Sequence, residues 1–388
     1  MRKNVALTHL NGLTPAKFLR DYWQKKPLLI RNAFPDFEAP LTQAEIIELA
    51  GREEAESRLI TKPEGSKGQW KMHQGPISKK LFGTVKKLAW TVLVQDTQHF
   101  SREAHQLLQK FSFIPHARID DLMVSYAVKG GGVGPHFDSY DVFLLQGTGE
   151  RRWQISAQRD LSLAPDVPLK LLANFKPEQE WVLKTGDMLY LPPGYAHHGV
   201  AETDCVTWSI GFRAPGAAEI SYDFLDFLRD ELAPVGVYED RDLSATEAPG
   251  SIDRNMQARL TQILAQVTQA ASQTVMIKRF AGRFFTEPKS HVFFDAPDRK
   301  ISTRTFLQKI KTNGVELDLK TKFLFVDNMF FINGDELQIS TDVPNKDRLM
   351  WRALANTRML APRDVAQLSL SSHMLLQNLV ANGYVQIL

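Results

Sequence analysis

Two histidine-bearing segments hold the residues best able to do chemistry. In Lys129-Gly130-Gly131-Gly132-Val133-Gly134-Pro135-His136-Phe137-Asp138, a histidine and an aspartate stand two positions apart. On an extended strand that spacing turns both side chains to one face. Downstream, Gly186-Asp187-Met188-Leu189-Tyr190-Leu191-Pro192-Pro193-Gly194-Tyr195-Ala196-His197-His198 leads from a turn through an apolar strand and a corner to paired histidines. A His-x-Asp pair with one distant histidine is the donor set that holds non-haem iron(II) and leaves coordination positions open for co-substrate and oxygen. Alone, His-x-Asp is a weak signal that a surface turn carries equally well. The Pro-Pro-Gly corner strengthens it, because it redirects the backbone into a strand that begins with histidine. Neighbours in a strand face opposite ways, so on residue chemistry alone either His197 or His198 supplies the third donor.

Such a meeting requires a closed β-structure, and short strand signals surround both segments. Trp90–Val94 and Leu122–Val128 flank a helical pattern from Ser101 to Phe111. Asp141–Gln146, a Gly147-Thr148-Gly149 turn and Arg151–Ile155 follow, then Glu180–Lys184, Met188–Leu191 and Cys205–Phe212. Many short strands joined by glycine turns make a sandwich or barrel. A helical preface precedes them. Phe18, Leu19, Tyr22 and Trp23 share a helical face, Pro27 stops that helix, and Leu28-Leu29-Ile30 reads as a strand. Thr42 and Glu45 form a capping box that opens a helix ended by Gly51.

After Ala214-Pro215 the pattern changes. Ile220, Phe224, Phe227, Leu228 and Leu232 line one helix, and Ile252, Met256, Leu260, Ile263, Leu264 and Val267 line another. Their apolar faces need the barrel, each other or a second copy of the chain. From about Val275 helix and strand mix. Phe323–Val326 and Met329–Ile332 flank Asp327-Asn328 as a hairpin, and helices near Arg348–Asn356, Pro362–Gln367 and Ser371–Ala381 precede a strand at Tyr384–Leu388. That order fits a winged-helix module.

Composition sets the outer bounds. A chain of 388 residues, 43% hydrophobic and 23% charged, supports two or three globular domains. Lys and Arg number 47 against 44 for Asp and Glu, an excess too small to argue for nucleic acid by bulk electrostatics. The one cysteine, Cys205, excludes an internal disulfide and a cysteine zinc site, and reads as a buried small hydrophobe in a reducing compartment. Met1–His9 has no sustained apolar run, and no stretch approaches the ~18 apolar residues of a spanning helix, so a cytoplasmic protein without membrane association is expected. His9, His73, His99, His105, His116, His291 and His373 lack a paired ligand at strand or helix spacing and read as surface or satisfied core residues.

The glycine-rich run into Pro-His-x-Asp, the Tyr140-Asp141-Val142-Phe143 continuation, the Gly-Thr-Gly turn before Arg151-Arg152-Trp153, the Pro-Pro-Gly-Tyr-x-His corner and Ser209-Ile210-Gly211-Phe212-Arg213-Ala214-Pro215 together resemble the cupin-type Jumonji (JmjC) oxygenases. Within them the chain is similar to the ribosomal oxygenases of bacteria, over nearly its whole length. The resemblance implies a mainly β domain at 1–215, a double-stranded β-helix, then an α-helical dimerisation region at 216–274 and an α+β winged-helix-like module at 275–388. It also implies Fe(II) on His136, Asp138 and His197, with 2-oxoglutarate and O2 as co-substrates. The implied reaction is hydroxylation of an arginine β-carbon in the sixteenth protein of the large ribosomal subunit, by a homodimer.

2-Oxoglutarate needs a cation for its far carboxylate, and the planar fork of arginine suits it. In Arg151-Arg152-Trp153-Gln154-Ile155 alternation groups Arg151 with Trp153 and Ile155. The apolar face looks inward, so Arg151 is the expected anchor, in agreement with the resemblance, and Arg152 is a surface residue. Ser125, among apolar neighbours, is either a co-substrate contact or a satisfied core serine.

Two other classes fit parts of the pattern: an oxygenase or metal cupin acting on a small molecule or another protein side chain, and a ligand sensor whose winged helix reads DNA. After Arg363 no Lys or Arg follows to the C-terminus. A helix at Ser371–Ala381 therefore has little with which to grip phosphate, and no DNA binding is expected.

Overall fold

Strand alternation in the first half of the chain builds two facing sheets. The computed structural model describes residues 5–62, 69–297, 299, 301–339 and 343–388. The first four residues of the segment read as lacking a leader lie outside these. The chain divides into two units, Met1–Ala214 and Pro215–Leu388.

The first unit contains β1 (Leu28–Ile30), β2 (Ser57–Thr61), β3 (Lys71–Gln74), β4 (Trp90–Val94), β5 (Ile119–Ala127), β6 (His136–Phe137), β7 (Val142–Thr148), β8 (Arg151–Ser156), β9 (Gln179–Leu183), β10 (Met188–Leu191), β11 (Ala196–Ala201) and β12 (Cys205–Phe212). Eight pair in the order β1-β10-β7-β12-β5-β4-β2-β3, and four in the order β6-β11-β8-β9. Every pairing between them is antiparallel. Gly147 and Thr148, read as part of a turn, are the end of β7, and the reversal falls at Gly149 and Glu150.

Alternation on the larger sheet separates structure from site. Leu59, Val92, Val94, Val124, Tyr126, Phe143, Leu145, Trp208 and Ile210 belong to one buried apolar cluster together with residues of the helical preface such as Phe18, Ile46 and Leu107. The opposite face of the same strands carries Val142 and Leu144, which pack with Trp153, Ile155 and Leu183 of the smaller sheet. The two sheets thus enclose a space between them, as in a double-stranded β-helix.

The helical preface is α1 (Pro15–Asp21), α2 (Gln43–Leu49), α3 (Lys79–Thr84) and α4 (Arg102–Gln109). The capping box is present: Thr42 Oγ1 accepts from the Glu45 amide, and the Glu45 carboxylate accepts from the Thr42 amide at 2.7 Å. His9 is buried against Phe34 and Phe111, and burial pushes its pKa down to about 4, so it is a neutral core residue.

The second unit holds α5 (Ala217–Glu231), α6 (Arg254–Ala271), α7 (Thr274–Thr286), α8 (Thr303–Asn313), α9 (Asn345–Thr357), α10 (Pro362–Val365) and α11 (Leu370–Ala381). Its strands form two three-stranded sheets. One joins β13 (Val315–Leu317) to β17 (Met359–Leu360) and β18 (Val385–Ile387), the other β14 (Phe323–Val326), β15 (Met329–Ile332) and β16 (Asp335–Leu337). The hairpin turns at Asp327, whose φ of 52° places it in the left-handed region.

The partner of α5 is a helix outside the three surfaces foreseen. Phe227, Leu228 and Phe224 pack on Met276 and Phe280 of α7, and Glu231 is bonded by Arg279 at 2.5 Å and Arg283 at 2.9 Å. On α11 two polar side chains are used internally. His373 Nε2 is 2.9 Å from the Val365 carbonyl, and Gln377 Nε2 donates to the Ile301 carbonyl at 3.0 Å.

Candidate active site

The cross-strand register of β11 brings the two histidine segments together. His197 pairs directly with His136 on β6 and with Ile155 on β8. Strand β6 is only two residues long, so Asp138 lies just beyond it rather than within it. A backbone bond compensates: the amide of Gly194, at the Pro-Pro-Gly corner with φ of 75°, donates to the Asp138 carbonyl at 2.7 Å. That position needs glycine, since other residues are strained there.

One donor atom from each of His136, Asp138 and His197 lies within 4.8 Å of the others. His197 Nε2 is 3.7 Å from Asp138 Oδ2, and the two imidazole centroids are 4.2 Å apart. Nδ1 of His136 meets the Gly134 carbonyl at 3.0 Å, and Nδ1 of His197 meets the Tyr195 carbonyl at 2.9 Å. A carbonyl only accepts, so each Nδ1 donates, and Nε2 is the ring atom left to face a metal. Burial, then the neighbouring His136, lowers the His197 pKa to about 4, which keeps it neutral. Two imidazoles aimed by backbone carbonyls, with one carboxylate, fit a divalent first-row metal such as iron. His198 faces the other way, pairing with Gln154 and meeting the edge of Phe175 at 6.2 Å.

Alternation on β8 places Arg151 as expected, 3% exposed, with Trp153 and Ile155 also buried. Its Nη1 donates to Ser125 Oγ at 3.2 Å and Thr207 Oγ1 at 3.1 Å, and the guanidinium lies over the Trp153 ring at 5.2 Å. Its Nε is buried without a hydrogen-bond partner. Among the described residues no carboxylate forms an ion pair with it. Burial accordingly lowers its pKa. A buried cation without a counter-charge is costly, and an anionic ligand removes that cost. Gly199 leaves room for this arrangement, since a Cβ there would stand 2.7 Å from the Trp153 ring and 2.9 Å from Arg151 Nε. Arg152 is at the surface, bridging Glu180 and Glu202.

His136, Asp138, His197, Arg151 and Ser125 all line one cavity of about 520 Å³. The sequence reading missed several residues that share it. Thr207 bonds Arg151 and donates in turn to Gln146 Oε1 at 3.1 Å. Asp120, Asp121, Met123 and Tyr140 form another part of the wall, as do Arg58 and Gln95. The Tyr140 phenol pKa is pushed up by burial and by the carboxylates of Asp138, Asp121 and Asp120, with Arg58 acting in the opposite sense. Strand parity could have nominated Thr207 and Asp121, but only with a register that the sequence does not print.

Residues 106–220 match the model of the JmjC domain, and residues 268–386 that of the ROXA-like winged helix. The chain is 37% identical to a probable ribosomal oxygenase of Haemophilus influenzae over 340 residues, which cover 84% of this chain and 78% of that protein. It is 29% identical to the ribosomal protein uL16 3-hydroxylase of Escherichia coli over 334 residues, 86% of each. A structure of the ribosomal oxygenase YcfD from Escherichia coli, in complex with cobalt and 2-oxoglutarate, superposes with a TM-score of 0.80 at 28% identity, covering 96% of this chain and 98% of that one. A donor trio suited to iron, a buried arginine awaiting an anion and this similarity along both units agree: the chain belongs to the ribosomal oxygenases of the JmjC type.

Proposed function

We propose that the protein is an Fe(II)- and 2-oxoglutarate-dependent hydroxylase acting on the β-carbon of an arginine in ribosomal protein uL16. The observation that carries the reading is the buried, unpaired Arg151 in one cavity with His136, Asp138 and His197. The names of the Escherichia coli relative and of the YcfD complex support it.

Each residue then has a task. His136, Asp138 and His197 would hold the iron through Nε2, carboxylate and Nε2. Arg151 binds the far carboxylate of 2-oxoglutarate, with Ser125 and Thr207 fixing the guanidinium. The chemistry supplied by Fe(II) in that position would be oxygen activation coupled to oxidative decarboxylation of 2-oxoglutarate to succinate and carbon dioxide. Trp153 and Leu144 give the cavity apolar wall that excludes water, with Ile155 in the same apolar cluster. Asp120 and Asp121 give part of its wall the charge that attracts a guanidinium, and Met123 and Tyr140 offer apolar surface to the methylenes of an arginine. Purified uL16 gaining one oxygen atom tests this reading.

Region 216–274 acts in this reading as a dimerisation region, and 275–388 as a winged-helix-like module that supports the dimer or docks the protein substrate rather than DNA. Helix α6 has no buried residue, although it carries Leu260, Ile263 and Leu264, the last 60% exposed. An apolar face on both copies suits a two-fold interface in which the same patch meets itself. Sedimentation at micromolar concentration is expected to give a dimer, and L260E/L264E a monomer; a wild-type monomer refutes the assignment. No helix among the described residues is long and apolar enough to cross a membrane, and a cytoplasmic location remains part of the proposal.

A further inference from the structure

The cavity wall has a second guanidinium, which neither the metal site nor the 2-oxoglutarate anchor uses. Arg58 lies on β2 beside the buried Ser57 and Leu59, and with Ile60 it lines the cavity. Register places it in one cross-strand row with the anchor: Arg58 pairs with Leu93, Leu93 with Ser125, and Ser125 with Thr207. Arg58 is therefore two strand spacings from Ser125, roughly 10 Å along the floor. Ser125 touches Arg151. The two guanidinium groups have separate partners, Ser125 and Thr207 for Arg151 and Gln95 for Arg58, so Arg58 marks a second polar position on the same cavity wall.

Its bonding is incomplete. Arg58 Nε is buried with no hydrogen-bond partner, and Nη2 reaches only Gln95 Oε1 at 3.5 Å, the long limit of a hydrogen bond. Buried donors are nearly always satisfied, so an arginine left in this state points to a ligand group that completes it. Gln95 lines the same cavity and offers both a donor and an acceptor. The neighbours decide which ligand group fits. Asp120, Asp121, Asp138 and Lys170 line the same cavity, three carboxylates to one further ammonium, so a second carboxylate is disfavoured there. A neutral carbonyl oxygen is not, and it accepts from the guanidinium fork while an adjacent amide N–H donates to Gln95 Oε1.

We propose that Arg58 and Gln95 form a clamp for the main-chain peptide group of the protein substrate next to the hydroxylated residue, making Arg58 a positioning residue of the reaction. The clamp explains how one floor can prefer a residue within a polypeptide over the same free amino acid: Arg58 and Gln95 recognise a peptide bond, and the acidic wall recognises the side chain. The inference rests on the uL16 reading above, and the test separates the two.

Steady-state turnover of purified uL16 is measured with the full chain, Fe(II) and 2-oxoglutarate. Wild-type turnover tests the functional reading, and the ratio of each variant to wild type tests the clamp. Arg58→Ala is expected to raise KM for uL16 roughly tenfold to a hundredfold, the range for a hydrogen bond to a charged group, with the KM for 2-oxoglutarate within about twofold of wild type. Gln95→Ala raises the uL16 KM less, roughly threefold to tenfold. Arg58→Lys restores only part of the loss, because a lysine keeps the charge and loses the fork. An unchanged uL16 KM in both alanine variants overturns the clamp. So does a matching rise in the 2-oxoglutarate KM, which marks general damage to the site, or full rescue by lysine, which reduces Arg58 to a charge. A normal 2-oxoglutarate KM also shows that the variant has folded, and Gln95→Ala provides an independent variant should Arg58→Ala fail to fold.

Discussion

Replacing His136, Asp138 or His197 by alanine lowers turnover by at least ~100-fold and weakens metal binding, whereas His198→Ala leaves both near wild type. Changes to groups that merely orient ligands already cost about 10–100-fold, and removing a ligand costs more. The contrast between the histidines follows from the register. His197 stands opposite His136, 4.2 Å ring to ring, with its Nδ1 held by Tyr195. His198 points to Phe175 on the other side of the strand. The three variants keep their fold, because the donor atoms meet in a cavity and not in the apolar cluster behind the sheet. Isothermal titration with cobalt(II) and far-ultraviolet circular dichroism check both parts. Metal binding lost in His198→Ala and kept in His197→Ala contradicts the assignment.

Arg151→Ala raises the 2-oxoglutarate requirement by roughly 30-fold to a few thousand-fold, from a loss of about 2–5 kcal/mol when one partner of a buried charge pair is truncated. The guanidinium is buried and bonded to Ser125 and Thr207, whereas the cavity's other cations, Arg58 and Lys170, make neither bond. Arg151→Lys recovers part of the binding, since lysine brings charge without a planar fork. Arg152→Ala shifts the requirement by less than about twofold, because that residue bridges two surface glutamates, a contact worth about 0–1 kcal/mol. Rates measured against 2-oxoglutarate concentration decide it. Equal effects at 151 and 152 refute the inward placement of Arg151.

The legible parts of this molecule are those that one segment specifies. The Thr42 and Glu45 cap, the hairpin around Asp327 and the inward side of β8 each depend on residues a few positions apart, and the structure has all three. His136 and Asp138 were visible as a pair, although β6 is so short that a bond from Gly194, not strand geometry, holds the aspartate in place. What stayed hidden depends on register between distant strands. Thr207 under Arg151, and Arg58 in the row of Ser125, become neighbours only when β2, β4, β5 and β12 are aligned. Periodicity shows which residues share a face, not which strand lies beside it. The same limit applies to α5, whose apolar face was plain while its partner, α7, was not.

Hydroxylation of an arginine of a ribosomal protein in the cavity of His136, Asp138, His197 and Arg151 is the proposal that matters most to test. Its most direct test is mass spectrometry of uL16 incubated with the protein, Fe(II), 2-oxoglutarate and 18O-labelled dioxygen. One added 18O atom is expected on the β-carbon of a single arginine, absent with His136→Ala and absent when 2-oxoglutarate is omitted. Unmodified uL16 under conditions where the enzyme converts 2-oxoglutarate to succinate, or an oxygen on a residue other than arginine, contradicts it.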